Sequence, residues 1–283
     1  MADTVFVSTT AFGSDVDRAI AAARRFGIAL EFGSAIPHRP SLETKYREFD
    51  APRLPHNYFP APAQSFVLNL ASLDPALRER SLEHCTKGIK LASDSDAPFY
   101  AAHAGFCVDP DPEHLGEPWD LSKSYDLIEA YQMFCASVHV LADQADQKEV
   151  DFLLENNVVT PFNVNKEGDS PLLLTRPQEI GAFFQDIDHP HIGLLLDTGH
   201  LKVTARTFGF DVHDALRQIQ PHVRGIHHSD NDGRLDTNSP IERDYWFLKY
   251  MADFKDVPHV LEVKNQSVPE IMRQIDLLAK QID

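Results

Sequence analysis

Carboxylates and imidazoles in this 283-residue chain recur at the ends of short apolar runs. In "GLLLDTGH" a run with the look of a buried strand stops on Asp197 and, three residues later, His200. Similar endings place Glu31 in "IALEF", His103 in "AAHAGF", Glu155 in "LLENN", His227 and His228 in "IHHS", and Glu262 in "VLEV". Gathering such groups is electrostatically costly unless a cation or a polar network compensates them. Oxygen and nitrogen donors without thiolate suit one divalent metal ion, Mn2+, Mg2+, Co2+ or Zn2+, without choosing among them. Asp197 would then be a ligand mounted on a rigid strand, with a turn at Gly199 swinging His200 back over the same place. The plainer alternative is that Asp197 caps a following helix, since Asp and Thr are preferred there.

The elements that would position these residues are eight apolar runs, at 4–8, 28–32, 65–70, 98–106, 151–157, 192–197, 223–229 and 259–263. Stretches with helical periodicity lie between them, at 15–27, 74–92, 124–145, 176–187, 212–220, 243–254 and 268–282. Alternating strand and helix implies parallel strands with crossover helices, and eight units at this length close most simply into an α/β (β/α)8 TIM barrel, one domain over residues 1–283. A doubly wound open sheet competes, but "STTAFGSD" after the first run lacks the glycine-rich phosphate loop that such sheets carry. In a barrel the reactive groups sit at the C-terminal strand ends, where all of these fall. Adjacent strand residues face opposite ways, so only one of His227 and His228 can look into the mouth.

With 43 acidic and 26 basic residues the formal charge is −17, so the molecule as a whole repels phosphate backbones and anionic lipid, and no nucleic-acid or membrane partner is expected. The N-terminal residues show no basic leader followed by an apolar stretch, and no window approaches a membrane span, which reads as a soluble cytoplasmic protein. Cys85, Cys107 and Cys135 form no CxxC pair and read as free thiols. The segment "LPHNYFPAP", with His56, is too irregular for a helix; it reads as a lid or pocket wall offering Tyr58 and Phe59 to a sugar ring, or as a plain surface loop, and His56 receives no role.

"LNLASLDPALRERSLEH", "AAHAGF", "LLENN", "LLLDTGH", "IHHSDNDGRLD" and "VLEVK", in this order and at barrel spacing, resemble the xylose-isomerase-like barrel superfamily. That superfamily includes sugar isomerases and epimerases and the metal-dependent abasic-site endonucleases. The resemblance implies one ion held by Glu155, Asp197, His227 and Glu262; His227 rather than His228 matches the family's His three residues before an Asp, here Asp230. The endonuclease members need a three-zinc cluster with further histidines. One falls where this chain has Ala63, and another belongs to an Asp-x-His pair that here reads Asp236-Thr237-Asn238. His103 and His200 do match endonuclease positions, leaving a second, partial metal site open.

Isomerisation and epimerisation both begin by removing a weakly acidic proton beside a carbonyl. The resemblance assigns Glu155 and Glu262 as the catalytic carboxylates, and His200 as the group that orients a substrate hydroxyl. His103, Glu31, Arg234 and Lys264 are further candidates for substrate contacts, the last two for an anionic group. Glu31 reads equally well as a structural ion pair. The expected function is a metal-dependent isomerase or epimerase of a sugar, sugar acid or sugar phosphate. The alternatives are a lyase or dehydratase of the same superfamily, an abasic-site endonuclease, and a barrel without catalysis. A homo-oligomer is expected from the superfamily's habit alone.

Overall fold

In the computed structural model, residues 5–112, 118 and 125–282 are described. Eight strands run β1 Val5–Ser8, β2 Ala29–Phe32, β3 Arg53–Pro55, β4 Phe99–His103, β5 Asp151–Glu155, β6 Ile192–Asp197, β7 Val223–His228 and β8 His259–Leu261. Their order is β3-β2-β1-β8-β7-β6-β5-β4, and every pairing is parallel. The seam between β3 and β4 is narrowed by a parallel bridge from His56 to Ala101, with Asn57 N–H donating to the Ala101 oxygen at 2.7 Å. The result is a nearly closed (β/α)8 barrel. Its loose seam has a simple cause: β3 is three residues long and ends on Pro55, which has no N–H to give the ladder.

Among the described residues eight helices surround the strands: α1 Val16–Phe26, α2 Leu42–Arg47, α3 Pro75–Asp94, α4 Leu127–Lys148, α5 Pro177–Ile187, α6 Thr198–Phe208, α7 Val212–Ile219 and α8 Val268–Ile282. Several begin on an aspartate that accepts from the first turn, as Asp15 does from Asp17 N (3.0 Å) and Arg18 N (3.1 Å). Buried apolar residues from Val5 to Leu278 form one core between strands and helices, with Phe134 stacked on Phe183 at 4.9 Å. Gly88 lets α3 approach β4, because a Cβ there would sit 2.3 Å from the Tyr100 ring. Among the described residues no helix is long and apolar enough to cross a membrane.

Three sequence expectations need correcting. The third strand is not the run at 65–70 but Arg53–Pro55. Phe66, Val67, Leu68 and Leu70 are buried as their apolarity demands, yet side chains take backbone donors here: Leu68 N–H donates to Tyr58 Oη (2.5 Å) and Asn69 N–H to Ser81 Oγ (3.0 Å). Apolar runs report burial, and burial was met without a ladder. The stretch 243–254 holds a 3-10 helix only at Leu248–Phe254, because Tyr245, Trp246 and Phe247 are packed into an aromatic cluster. Helix α2 went unforeseen, α6 was weighed only as the helix that Asp197 would cap, and the turn expected at Gly199 is the first turn of α6. Gly199 serves close approach instead: a Cβ would lie 2.6 Å from Ser229 Oγ and 3.1 Å from Asn231 Nδ2.

Candidate metal and active site

Glu155 closes β5, Asp197 closes β6, His227 is the penultimate residue of β7, and Glu262 follows β8. One donor atom from each lies within 4.8 Å of the others. His227 Nδ1 is 2.9 Å from Glu262 Oε2, 3.9 Å from Glu155 Oε1 and 4.0 Å from Asp197 Oδ2. Its Nε2 is held by Glu31 Oε2 at 2.8 Å. Both partners are fully buried, and the contact restrains the His227 ring.

Asp197 does two things at once. Its Oδ1 accepts from His200 N–H at 2.7 Å and caps α6, while Oδ2 is buried with no hydrogen-bond partner. The capping reading and the ligand reading are therefore compatible. Asn156 grips the same corner: its Oδ1 accepts from Asp197 N–H (2.8 Å) and its Nδ2 donates to the Asp197 main-chain oxygen (3.1 Å). The Asn156 carbonyl also accepts from His200 Nδ1 at 2.9 Å. That bond leaves His200 Nε2 3.5 Å from Asp236 Oδ2 and 4.0 Å from Asp197 Oδ2.

Glu155 is ringed by imidazoles. Its Oε2 lies 3.3 Å from His56 Nε2 and 3.5 Å from His103 Nδ1, and its Oε1 lies 3.4 Å from His200 Nδ1. His56, His103 and Glu155 make a second convergent donor group, and Glu31, His56 and His227 a third. The rings of His103 and His200 stack at 5.7 Å.

Burial opposes charge on every one of these groups, and their neighbours decide the outcome. Burial would raise Glu155, but His103, His56 and His200 hold it well below the carboxylate range. For Asp197 burial wins: with Asp236, Glu155 and Glu262 adding to it, the carboxyl is pushed up to about 7 despite His200. His227 and His200 are raised well above the usual imidazole range against their burial, the former by Glu31 and Glu262, the latter by Asp197, Asp236 and Glu155. His103 is lowered, burial outweighing Glu155. Desolvation first and the neighbouring carboxylates second disfavour the charged form of Asp197, and a bound cation would oppose both.

The residues fit a divalent ion. Glu155 Oε2, Asp197 Oδ2, His56 Nδ1 and His103 Nδ1 are buried atoms without a hydrogen-bond partner, all on donor types that bind hard or borderline cations. Two of the candidate contact residues are exposed. Arg234 lies 4.0 Å from Asp232 with both side chains largely in solvent, and Lys264 is exposed, its charge felt at Asp236. Phe59 is wholly buried against Phe32 (5.1 Å) and Tyr46 (5.2 Å), which corrects its reading as a platform for a sugar. Tyr58 packs on Phe66 and His84.

Sequence reasoning missed His56 and Asn156 as neighbours of this cluster, and met Asp236 only as the first residue of the incomplete Asp-x-His pair. His56 directly follows β3, so the strand-end rule finds it once β3 is put at residues 53–55. This also corrects the assignment of Ala63 to the third-strand position. Asn156 leaves no periodic signal, because it acts on the main chain of the next strand.

Residues 40–281 match the family model described as xylose isomerase-like TIM barrel. No curated protein sequence matches the chain. Among solved structures, a D-tagatose 3-epimerase-like protein superposes with a TM-score of 0.71 at 17% identity, covering 98% of this chain and 96% of that one. The D-psicose 3-epimerase of Clostridium cellulolyticum, solved with D-tagatose, gives 0.64 at 18% identity over 99% and 95% of the two chains. A Thermus thermophilus protein, TTHB071, soaked with ZnCl2, gives 0.66 at 19% identity over 98% of each. At these identities the likeness is one of fold, and with the family match it places this chain in the xylose isomerase-like TIM barrel family.

Proposed function

We propose that this protein is a divalent-metal-dependent isomerase or epimerase of a sugar, sugar acid or sugar phosphate. The observation that carries the reading is the convergence of Glu155, Asp197, His227 and Glu262 at the C-terminal strand ends, with Asp197 Oδ2 buried and unpartnered. A divalent ion held by these four supplies Lewis-acid stabilisation of the negative charge that develops when a carbon beside a carbonyl loses its proton. The chain's own part is proton movement and positioning. Glu155 and Glu262 are the two carboxylates that take and return the proton: return to the opposite face inverts the centre, and return to the adjacent carbon isomerises the sugar. His200, fixed through Nδ1 by the Asn156 carbonyl, presents Nε2 to a substrate hydroxyl. Glu31 restrains the His227 ring. The epimerase neighbours support a carbohydrate substrate. The test is conversion of a panel of ketoses and sugar acids, followed by deuterium uptake from solvent, with and without added Mn2+, Mg2+, Co2+ or Zn2+.

One observation favours a second reading. His56 and His103 meet Glu155 through its other oxygen, and Asp236 meets His200, so donors for more than one ion are present. Such an arrangement suits a multi-zinc phosphodiesterase such as an abasic-site endonuclease. The −17 charge weighs against binding DNA, and Asn238 stands where that chemistry needs a histidine. Incision of an abasic oligonucleotide by the zinc-loaded protein, together with two or three zinc ions per chain, would favour this reading.

A further inference from the structure

His228, the neighbour of His227, points away from the mouth and begins a chain of buried polar contacts unused by the proposed chemistry. Its Nε2 meets His259 Nδ1 at 2.8 Å, and His259 Nε2 meets the Phe254 carbonyl at 3.2 Å. On its other side, His228 Nδ1 meets Tyr245 Oη at 3.1 Å, and Tyr245 Oη meets Thr198 Oγ1 at 2.5 Å. Thr198 Oγ1 also lies 3.0 Å from the main-chain oxygen of His227. Thr198, His228 and His259 have no solvent exposure and Tyr245 has 2%.

With both rings uncharged, the protons have one consistent arrangement. The Phe254 carbonyl only accepts, so His259 donates from Nε2 and accepts at Nδ1 from His228. His228 Nδ1 then accepts from the Tyr245 hydroxyl, whose oxygen accepts from Thr198. In this arrangement the Tyr245, His228 and His259 protons each have one acceptor in the chain, while the single Thr198 proton is shared between the Tyr245 oxygen and the main-chain oxygens of His227 (3.0 Å) and Ser229 (3.4 Å). Two of its members matter. Thr198 directly follows Asp197 and opens α6, and His228 directly follows His227, so the chain ties the end of β6 to the end of β7 from behind.

We infer that Tyr245 and His228 are positioning residues, which through Thr198 hold Asp197 and His227 at the separation a shared divalent ion requires. The inference rests on the metal reading given above. A purely structural network would contribute to stability and leave ion affinity alone, whereas a positioning network acts on affinity in the folded protein. Outer partners of metal ligands typically change affinity by roughly ten- to a hundredfold when removed.

The experiment is calorimetric titration of metal-stripped, full-length protein with Mn2+ at room temperature, with melting temperatures taken on the same samples. The variants are Tyr245→Phe, Thr198→Val and Thr198→Ser. We expect Tyr245→Phe and Thr198→Val to weaken Mn2+ binding by about tenfold or more while the far-ultraviolet dichroism stays native, and Thr198→Ser, which keeps the hydroxyl, to stay within about twofold of wild type. Unchanged affinity with a lowered melting temperature would overturn the inference and leave the metal reading standing. Equal damage from Thr198→Ser and Thr198→Val would also overturn it. Absence of binding in the wild type, for Mn2+ and for each other candidate ion, would remove the metal reading and this inference with it. If Tyr245→Phe fails to fold, the two Thr198 variants decide.

Discussion

Asp197 and His200 are joined by a hydrogen bond of 2.7 Å from the His200 main-chain N–H to Asp197 Oδ1, which leaves Oδ2 free of partners and facing the cluster of donors. The cap and the proposed ligand are thus opposite oxygens of one carboxylate, and substitutions can separate them. Asp197→Asn keeps an oxygen for the cap and removes the charge; we expect stability within about 1 kcal/mol of wild type and a large loss of ion affinity. Asp197→Ala removes both and should cost a further ~0.5–2 kcal/mol in metal-free protein. Urea denaturation of metal-stripped samples reads the stability effect and titration calorimetry the affinity. Equal affinity in wild type and Asp197→Asn would contradict the assignment.

Glu155 and Glu262 approach His227 Nδ1 from different strands, at 3.9 and 2.9 Å. Glu155→Gln and Glu262→Gln should each abolish turnover while leaving the fold intact, as checked by circular dichroism. Retention of more than about a tenth of the wild-type rate by both variants would rule out the two-carboxylate mechanism.

Gly199→Ala replaces a poor helix former by the best one within α6, so propensity alone forecasts stabilisation of about 1 kcal/mol. The 2.6 Å approach to Ser229 Oγ reverses the sign. Overpacking of this kind typically costs about 1–3 kcal/mol, and it would push α6 and His200 off the loop after β7. A melting temperature at or above that of wild type would contradict the packing argument.

Burial pushes the His259 imidazole down to about 4. The unfolded chain binds a proton near the ordinary histidine value of about 6.5, so between these values the unfolded state carries more protons than the native one. Stability from this ring is therefore full above a pH of about 6.5 and falls as pH drops toward about 4, by on the order of 3 kcal/mol at the low end. Denaturation in urea at pH values of about 7 and about 4.5 should show the loss in wild type and a smaller loss in His259→Gln. An identical pH dependence in both would contradict it.

How much was legible in the sequence follows from what each residue does. Glu155, Asp197, His227 and Glu262 each break an apolar run at its end, and the barrel's geometry gathers such ends at one mouth. The strands other than the third were readable for the same reason. The third was not, because Arg53–Pro55 is too short to make a pattern and the longer apolar run at 65–70 outweighed it. His56 was lost with it. Asp236 lies in the loop between Asp230 and Ser239, which are joined as an antiparallel bridge, and a loop's return path has no periodicity to read. Arg234 and Lys264 were named for their charge; both are exposed, and the charge of Lys264 is felt at Asp236.

The measurement closest to the central claim is elemental analysis by mass spectrometry on protein purified without a histidine tag, wild type beside Asp197→Ala. The account predicts close to one manganese, magnesium, cobalt or zinc per chain in the wild type, lost in the variant. No specific metal in either protein, even after incubation with each ion and removal of excess, would contradict it.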